Sequence, residues 1–155
     1  MVECVGDPLN SDSPESDPVY VVEQQAGHLL RRAHQRHAAI FQELIGDSQL
    51  TTLQFAALVR LRDLGGVSQN QLGRLTAMDA ATMQGVIKRL ADRGLIARRP
   101  DPDDRRRLVL SLSDAGRELV TNVVANGIRI TEKTLAPLSA AEQKMFLQLL
   151  AKIAE

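Results

Sequence analysis

The stretch DAATMQGVIKRLADRGLIARRPDPDDRRRLVLSLS, residues 79–113, decides the fold. Its first half spaces four apolar side chains at i, i+3, i+4 and i+7, as on one face of a helix: Met83, Val86, Ile87 and Leu90. Gly94 is a typical helix stop, and two short strands are predicted beyond it, residues 95–99 and 107–112. A helix that leads into a β-hairpin with a cationic tip predicts a winged helix-turn-helix, and such a fold indicates DNA as the partner.

The charges of the chain are unevenly distributed. The 155 residues have a formal net charge of zero, but residues 85–107 contain eight Lys and Arg against four Asp, a local net charge of +4. Because neutralisation of phosphates depends on local positive charge, the neutral total does not exclude a nucleic-acid partner. A solvated, charged hairpin is the alternative interpretation of this run.

Length and composition indicate one small domain, which long helices could extend towards a second copy. A hydrophobic fraction of 44% and a charged fraction of 25% are typical of a soluble globular protein, and no apolar run approaches a membrane span. The N-terminus lacks the features of a secretory signal, so we expect a cytoplasmic protein with no membrane partner. Residues 1–18 are expected to form a flexible acidic tail, in which Cys4 is an inert surface thiol.

Capping signals divide the remaining chain into helices. The predicted N-terminal caps are, in order, Thr51 or Thr52, Ser68, Asp79, Ser113 and Ser139. Before them, a long apolar pattern over residues 19–45 ends at Gly46. The predicted fold is mainly α with a small β-hairpin wing: residues 47–113 form the winged helix-turn-helix, and residues 19–46 and 114–155 form dimerisation helices. Two copies would match a pseudo-palindromic DNA site.

The chain resembles the MarR family of bacterial transcription regulators over nearly everything after Val19. The resemblance is carried by LTTLQFAAL, by SQNQLGRLTAMDAATMQGVIKRLADRGLIARRPDPDDRRRLVLSLSDAGREL and by the final capped helix. The wing is the most specific part: the family pattern Asp-Pro-x-Asp-x-Arg, followed seven residues later by a capping hydroxyl, is matched by Asp101, Pro102, Asp104, Arg106 and Ser113. The resemblance implies a homodimeric repressor that releases a double-stranded operator on binding a small effector, such as an anionic aromatic acid or its thioester.

The resemblance also implies which residues contact DNA. The recognition helix would present to the major groove Ala80, Ala81, Thr82, Gln84, Gly85 and Lys88. In the wing, Arg106 would enter a narrow minor groove and Asp104 would fix the arginines. Arg105 and Arg107 would contact phosphates. At the start of the preceding helix, the DNA backbone would be contacted by Ser68, Gln69 and Gln71, through the N-terminal amides of that helix.

Gly85 departs from the family pattern, because many members carry Arg at this position. Glycine inside a helix costs about 1 kcal/mol of stability relative to alanine. Lys88, one turn later on the same side, could substitute as a point charge, or Gly85 could let the helix backbone approach DNA more closely. The sequence leaves both explanations open.

Basic side chains on the first helix are candidates for holding an effector. The resemblance places the pocket beside the first and second helices, where the candidates are Arg31, Arg32, His34 and His37. For each of them a solvated helix face is the alternative. We expect no metal site and no cofactor, because neither Cys nor a set of carboxylates accompanies the histidines.

Two other classes of function, and one variant of the main prediction, have weaker support in the sequence. A winged-helix protein-interaction module without DNA binding is supported only by the neutral net charge and by Gly85. A regulator that responds to oxidants through Cys4 is a variant of the main prediction. An enzyme is not expected, because the sequence contains no phosphate loop, nucleophile elbow or cluster of metal ligands.

Overall fold

The computed structural model describes residues 19–104 and 107–154. A single 3-10 turn, Val22–Gln24, precedes six helices and three strands. In chain order these are α1 (Ala26–Leu44), α2 (Thr52–Leu64), β1 (Val67–Ser68), α3 (Gln69–Leu75), α4 (Ala80–Asp92), β2 (Ile96–Pro100), β3 (Leu108–Leu112), α5 (Asp114–Leu135) and α6 (Ala140–Ile153). The acidic tail with Cys4 and the wing-tip residues Arg105 and Arg106 lie outside the described residues, so the expectations for them stay predictions.

Side-chain caps begin the helices α2 to α6, as the sequence predicts. Thr51, rather than Thr52, caps α2 in a reciprocal capping box with Gln54. A second capping box joins Ser139 and Glu142 at the start of α6. Each cap accepts a hydrogen bond from an otherwise unpaired amide of the first turn, so these helix starts are encoded locally.

The first helix begins later than predicted, at Ala26 instead of Val19. The run of Val19, Tyr20, Val21 and Val22 is poor in helix formers, because β-branched side chains lose rotamer freedom in a helix. Gln25 remains extended, and its side-chain amide donates to the Val21 carbonyl at 2.9 Å. The residues before α1 therefore form a separate turn.

The wing belongs to a three-stranded antiparallel sheet with the order β1-β3-β2. In the hairpin, Ile96 pairs with Leu112 and Pro100 with Leu108. Each of its two strands begins one residue later than predicted. The sequence did not predict β1, which adds only two residues and pairs Val67 with Leu110. A strand of two residues is too short to show an alternating pattern.

One apolar core connects the DNA-binding elements to the long helices. It contains buried side chains from α1, α2, α4, β3 and α5, among them Phe41, Leu58, Ile87, Leu110 and Val120. Phe41 of α1 meets Phe55 of α2 edge to face, with ring centroids 5.9 Å apart. The inner face of α4 therefore rests on the same core that holds α1 against α5.

Helix α6 contributes no buried side chain. Leu150 is partly buried, whereas five other large apolar residues of the helix are between 38% and 69% exposed: Met145, Phe146, Leu147, Leu149 and Ile153. Among the described residues, no helix combines the length and the apolar character needed to cross a membrane.

Candidate nucleic-acid interface

The helix-turn-helix is formed by α3, a tight turn and α4. In the turn, Ala77 adopts a positive φ of 52°, a conformation that few residues other than glycine take. Asp79 then begins α4, and its carboxylate accepts hydrogen bonds from the Thr82 backbone amide at 2.8 Å and from the Thr82 hydroxyl at 2.9 Å. These two bonds hold the pKa of Asp79 below its ordinary value. The cap is therefore ionised at neutral pH and complements the helix dipole.

Helix α4 has one buried face and one open face. Met83, Val86, Ile87 and Leu90 are buried, as their spacing predicts. The structure leaves exposed or partly exposed all six residues that the resemblance assigns to the major groove, namely Ala80, Ala81, Thr82, Gln84, Gly85 and Lys88. Because the Thr82 hydroxyl already donates to Asp79, only its oxygen lone pair and its methyl group remain for a base.

Gly85 lies on the open side of α4 in ordinary helical geometry. A Cβ atom built on it would have no neighbouring atom within 4 Å. One turn later, Lys88 Nζ lies 3.2 Å from the Asp92 carboxylate, and both side chains are well exposed. An exposed pair of this kind is weak, so Lys88 can leave Asp92 for a phosphate at small cost.

The described part of the wing is closed by backbone and side-chain contacts. The Arg107 amide donates to the Asp104 carbonyl at 2.8 Å, and the Asp101 amide donates to the Arg107 carbonyl at 2.9 Å. Asp104 also pairs with Arg107, with Oδ2 and Nε 3.5 Å apart. The structure thus brings Asp104 to one of the three arginines assigned to it, and the other two are Arg105 and Arg106, outside the described residues.

A polar cleft of about 580 Å³ joins the start of α3 to the base of the wing. Its lining residues are Ser68, Gln69, Asn70, Arg74, Arg107 and Leu108. The structure therefore brings together three of the predicted DNA contacts, while Gln71 lies outside this lining. Asn70 and Arg74 were missed by the sequence reasoning, although their spacing of four residues places them on one side of α3.

The effector candidates on α1 divide into two groups. His34 and His37 line a mainly apolar cavity of about 380 Å³ between α1, α5 and α6, whereas Arg31 and Arg32 are exposed and outside its lining. The walls also include Leu30, Ala33, Thr131, Thr134, Leu135, Phe146, Leu147 and Leu150. Its walls are mostly aliphatic, and it is bounded by α5 and α6 where the expectation was α2.

Hydrogen bonds join α1 to the C-terminal end of α5 beside this cavity. His37 Nδ1 lies 3.0 Å from the Thr134 hydroxyl oxygen. Burial lowers the pKa of His37, and the neighbouring His34 lowers it further. The His37 ring is therefore an uncharged hydrogen-bonding group at neutral pH. Nearby, Arg36 donates to the carbonyls of Thr134 and Lys133 at 2.6 and 3.2 Å, so it stabilises the C-terminal end of α5.

The sequence and the fold are similar to those of known transcription regulators. The model of the MarR family matches residues 50–108. The chain is 42% identical to the HTH-type transcriptional repressor NicR of Pseudomonas putida, over 92% of this chain and 90% of that protein. NicR is named as a repressor and not as an enzyme.

Two solved structures have the same fold at high identity. A probable transcriptional regulator from Pseudomonas aeruginosa superimposes with a TM-score of 0.83 at 53% identity, covering 86% of this chain and 99% of that one. BpsR of Bordetella bronchiseptica, whose DNA binding is regulated by 6-hydroxynicotinic acid, gives a TM-score of 0.84 at 45% identity, covering 89% and 99%. The chain described here belongs to the MarR family of transcriptional regulators.

Proposed function

We propose that this protein is a cytoplasmic, homodimeric repressor that binds a pseudo-palindromic operator and releases it when an anionic aromatic acid binds. In this proposal, residues 47–113 read DNA, and residues 19–46 and 114–155 hold the two copies together. The observation that carries the proposal is the open face of α4 beside the wing, with its N-terminus capped and its opposite face buried in the core.

Dimerisation is supported by the apolar surface of α6. Soluble monomers seldom expose a continuous apolar patch of this kind. Leu29 and Leu30 of α1 are also about half exposed, and Leu30 lines the same cavity as Phe146 and Leu147 of α6. A second copy that covers this surface would remove the apolar side chains from water and place two recognition helices on one DNA duplex.

Operator binding is tested by fluorescence anisotropy on the DNA upstream of the protein's own gene, against a scrambled duplex of equal length. The Gln84→Ala substitution should lower affinity for the operator more than for the scrambled duplex, because a base contact carries sequence information. Gln143→Ala in α6 is the control, since Gln143 bonds to the carbonyls of Leu135 and Leu138, at the end of α5 and in the turn before α6. If Gln84→Ala weakens both duplexes equally, α4 is not the reading element.

The wing is tested separately, with Arg106→Ala. A residue in a narrow minor groove contributes through the negative potential of A/T-rich flanks, so the loss should be largest on operators with such flanks. Undiminished operator binding would contradict the wing assignment. Absence of any duplex binding by the unaltered protein at low salt would favour the protein-interaction module.

The effector proposal places an aromatic carboxylate in the cavity beside His34 and His37. A volume of about 380 Å³ suits a single-ring ligand. A carboxylate beside the His37 ring would favour its charged form and so oppose the lowering of the His37 pKa by burial. We therefore expect ligand binding to be accompanied by proton uptake at His37.

The probe for this test is 6-hydroxynicotinic acid, because the similar regulator BpsR responds to it. Titration calorimetry in two buffers of different ionisation enthalpy measures the protons taken up, and anisotropy measures release of DNA. The His34→Leu substitution should weaken binding of the acid while operator affinity in its absence is unchanged, and Arg31→Leu is the matched control outside the cavity. Equal effects of the two substitutions would contradict the cavity assignment.

A further inference from the structure

The loop between α1 and α2 is fastened to the C-terminal end of the recognition helix. Arg93 is the C-terminal cap residue of α4, and its Nη2 donates to Asp47 Oδ2 at 2.5 Å. The side chains of Arg93 and Asp47 are only 26% and 17% exposed. The two partners lie 46 residues apart in the chain, so the bond joins two elements that the sequence does not connect locally.

The surroundings make this bond hard to replace. Burial alone would raise the pKa of Asp47, but hydrogen bonds from Arg93 and from the Gln49 amide, together with the charge of Arg93, hold the pKa below its ordinary value. Arg93 Nη1 is also buried, and it has no acceptor among the described residues. Removal of the Asp47 charge would leave a largely buried guanidinium without its counter-ion, which is far more costly than loss of an exposed pair.

The same loop is held on its other side by α5. Asn126 Nδ2 donates to the Ile45 carbonyl at 3.2 Å. Ile45 and Leu50, at the two ends of the loop, are fully buried. Gly46 has a φ of +85°, and a Cβ atom on it would lie 3.3 Å from Asn126 Nδ2. The loop therefore has little room to move relative to α5, and it connects α5 to the end of α4.

The other ion pairs of the described residues do not make this connection. Four of them join residues no more than four positions apart: Arg62 with Asp63, Lys88 with Asp92, Arg107 with Asp104, and Arg117 with Asp114. The pair of Lys133 with Glu43 joins α5 to α1 at 2.8 Å. Within residues 19–104 and 107–154, Asp47 and Arg93 thus form the ion pair that ties α4 to the long helices.

We propose that the Asp47–Arg93 pair positions the recognition helix and thereby sets the half-site spacing that the dimer accepts. This inference rests on the proposed function. Helix α4 is about 20 Å long, so a displacement of about 2 Å at Arg93 would tilt it by roughly 6°. The two-fold axis of a dimer would repeat this tilt in the other copy, and the two helices would no longer match half-sites one helical turn apart. Asp47 and Arg93 are positioning residues, which act on DNA through α4.

The experiment first defines the operator by footprinting, and then measures affinity for three duplexes whose half-site spacing is natural, one base pair shorter or one base pair longer. The unaltered protein should prefer the natural spacing. Asp47→Asn, which keeps an oxygen for the Gln49 amide, should reduce that preference at least tenfold. A substitution that only lowers the folded fraction would weaken all three duplexes by the same factor and leave their ratio unchanged.

Glu43→Gln is the matched control, because it removes an ion pair between two long helices without contacting α4. It should leave the spacing preference intact. If Asp47→Asn does not fold, Arg93→Lys carries the test, since it keeps the charge but changes the geometry of the donor. An unchanged spacing preference in the folded variant overturns this inference alone, whereas failure of the unaltered protein to bind any duplex overturns the proposed function and this inference together.

Discussion

Gly85 offers a test of how the recognition helix contacts DNA, because its side of α4 is open. With no atom within 4 Å of the place that a new Cβ would occupy and no positive φ, Gly85→Ala introduces neither a clash nor backbone strain. It should stabilise the folded protein by about 1 kcal/mol, because glycine loses more conformational freedom in a helix than alanine does. For a chain of this length that corresponds to a rise in Tm of about 2–4 °C, measured by thermal denaturation at constant protein concentration.

Gly85→Arg should add one phosphate contact in each copy. The slope of log K against log salt would then become steeper by about 0.9 for each copy, or about 1.8 for a dimer. Between 50 and 200 mM salt this amounts to about a tenfold greater loss of affinity than in the unaltered protein. The assay is operator binding by anisotropy across that range of salt.

Two further variants complete the Gly85 test. Lys88→Gln should make the slope shallower by about 0.9 for each copy if Lys88 replaces the missing arginine. Gly27→Arg is the matched control: Gly27 is also an open helical glycine, and it lies in the first turn of α1, about 25 Å along that helix from the loop that meets α4. A loss of operator affinity in the stabilised Gly85→Ala variant would refute this reasoning, because it would mean that DNA approaches the helix backbone at Gly85.

Three other predictions concern the scaffold. Gly116→Ala should destabilise the fold by about 1–3 kcal/mol, since the new Cβ would lie 2.0 Å from the Leu95 carbonyl oxygen. Chemical denaturation should show a smaller loss for Gly127→Ala, where the nearest atom belongs to the Phe55 ring, at 2.6 Å. Because the pKa of His37 is lowered in the folded state, the folded protein binds fewer protons than the unfolded chain as the pH drops below 6.5. The free energy of unfolding should therefore fall as the pH drops from 6.5 through the folded-state pKa. His37→Gln should make this dependence of the unfolding free energy on pH weaker. Asp79→Ala should lower Tm and Asp79→Asn should preserve it, because asparagine also caps helices; equal losses would contradict the capping role.

Most of the fold could be predicted because its signals are local. The caps Ser68, Asp79 and Ser113 and the apolar period of α4 each lie within a few residues of the structure they specify. The predicted start of α1 was wrong because the apolar pattern continues through a valine-rich run that favours other conformations. The strand β1 was missed because its two residues show no alternating pattern and its pairing, of Val67 with Leu110, joins distant parts of the chain.

The sites were less predictable, because they depend on contacts between distant residues. Arg36 looks like one more solvated cation of α1, yet it bonds to carbonyls 97 and 98 residues away. Asp47 and Arg93 likewise carry no pairwise signal in a single sequence. His34 and His37 are three residues apart and so lie on one side of α1, but only the packing of α5 and α6 brings them into one cavity.

The exposed apolar face of α6 has a genetic consequence. If protomers pair through this face, a copy with a defective recognition helix but an intact α6 still combines with normal copies. With equal expression of the two forms, about half of the dimers would be mixed and a quarter wholly defective, so only about a quarter of the dimers would carry two working recognition helices. Damage to α4 should therefore be dominant over the normal gene, whereas loss of α6 should be recessive.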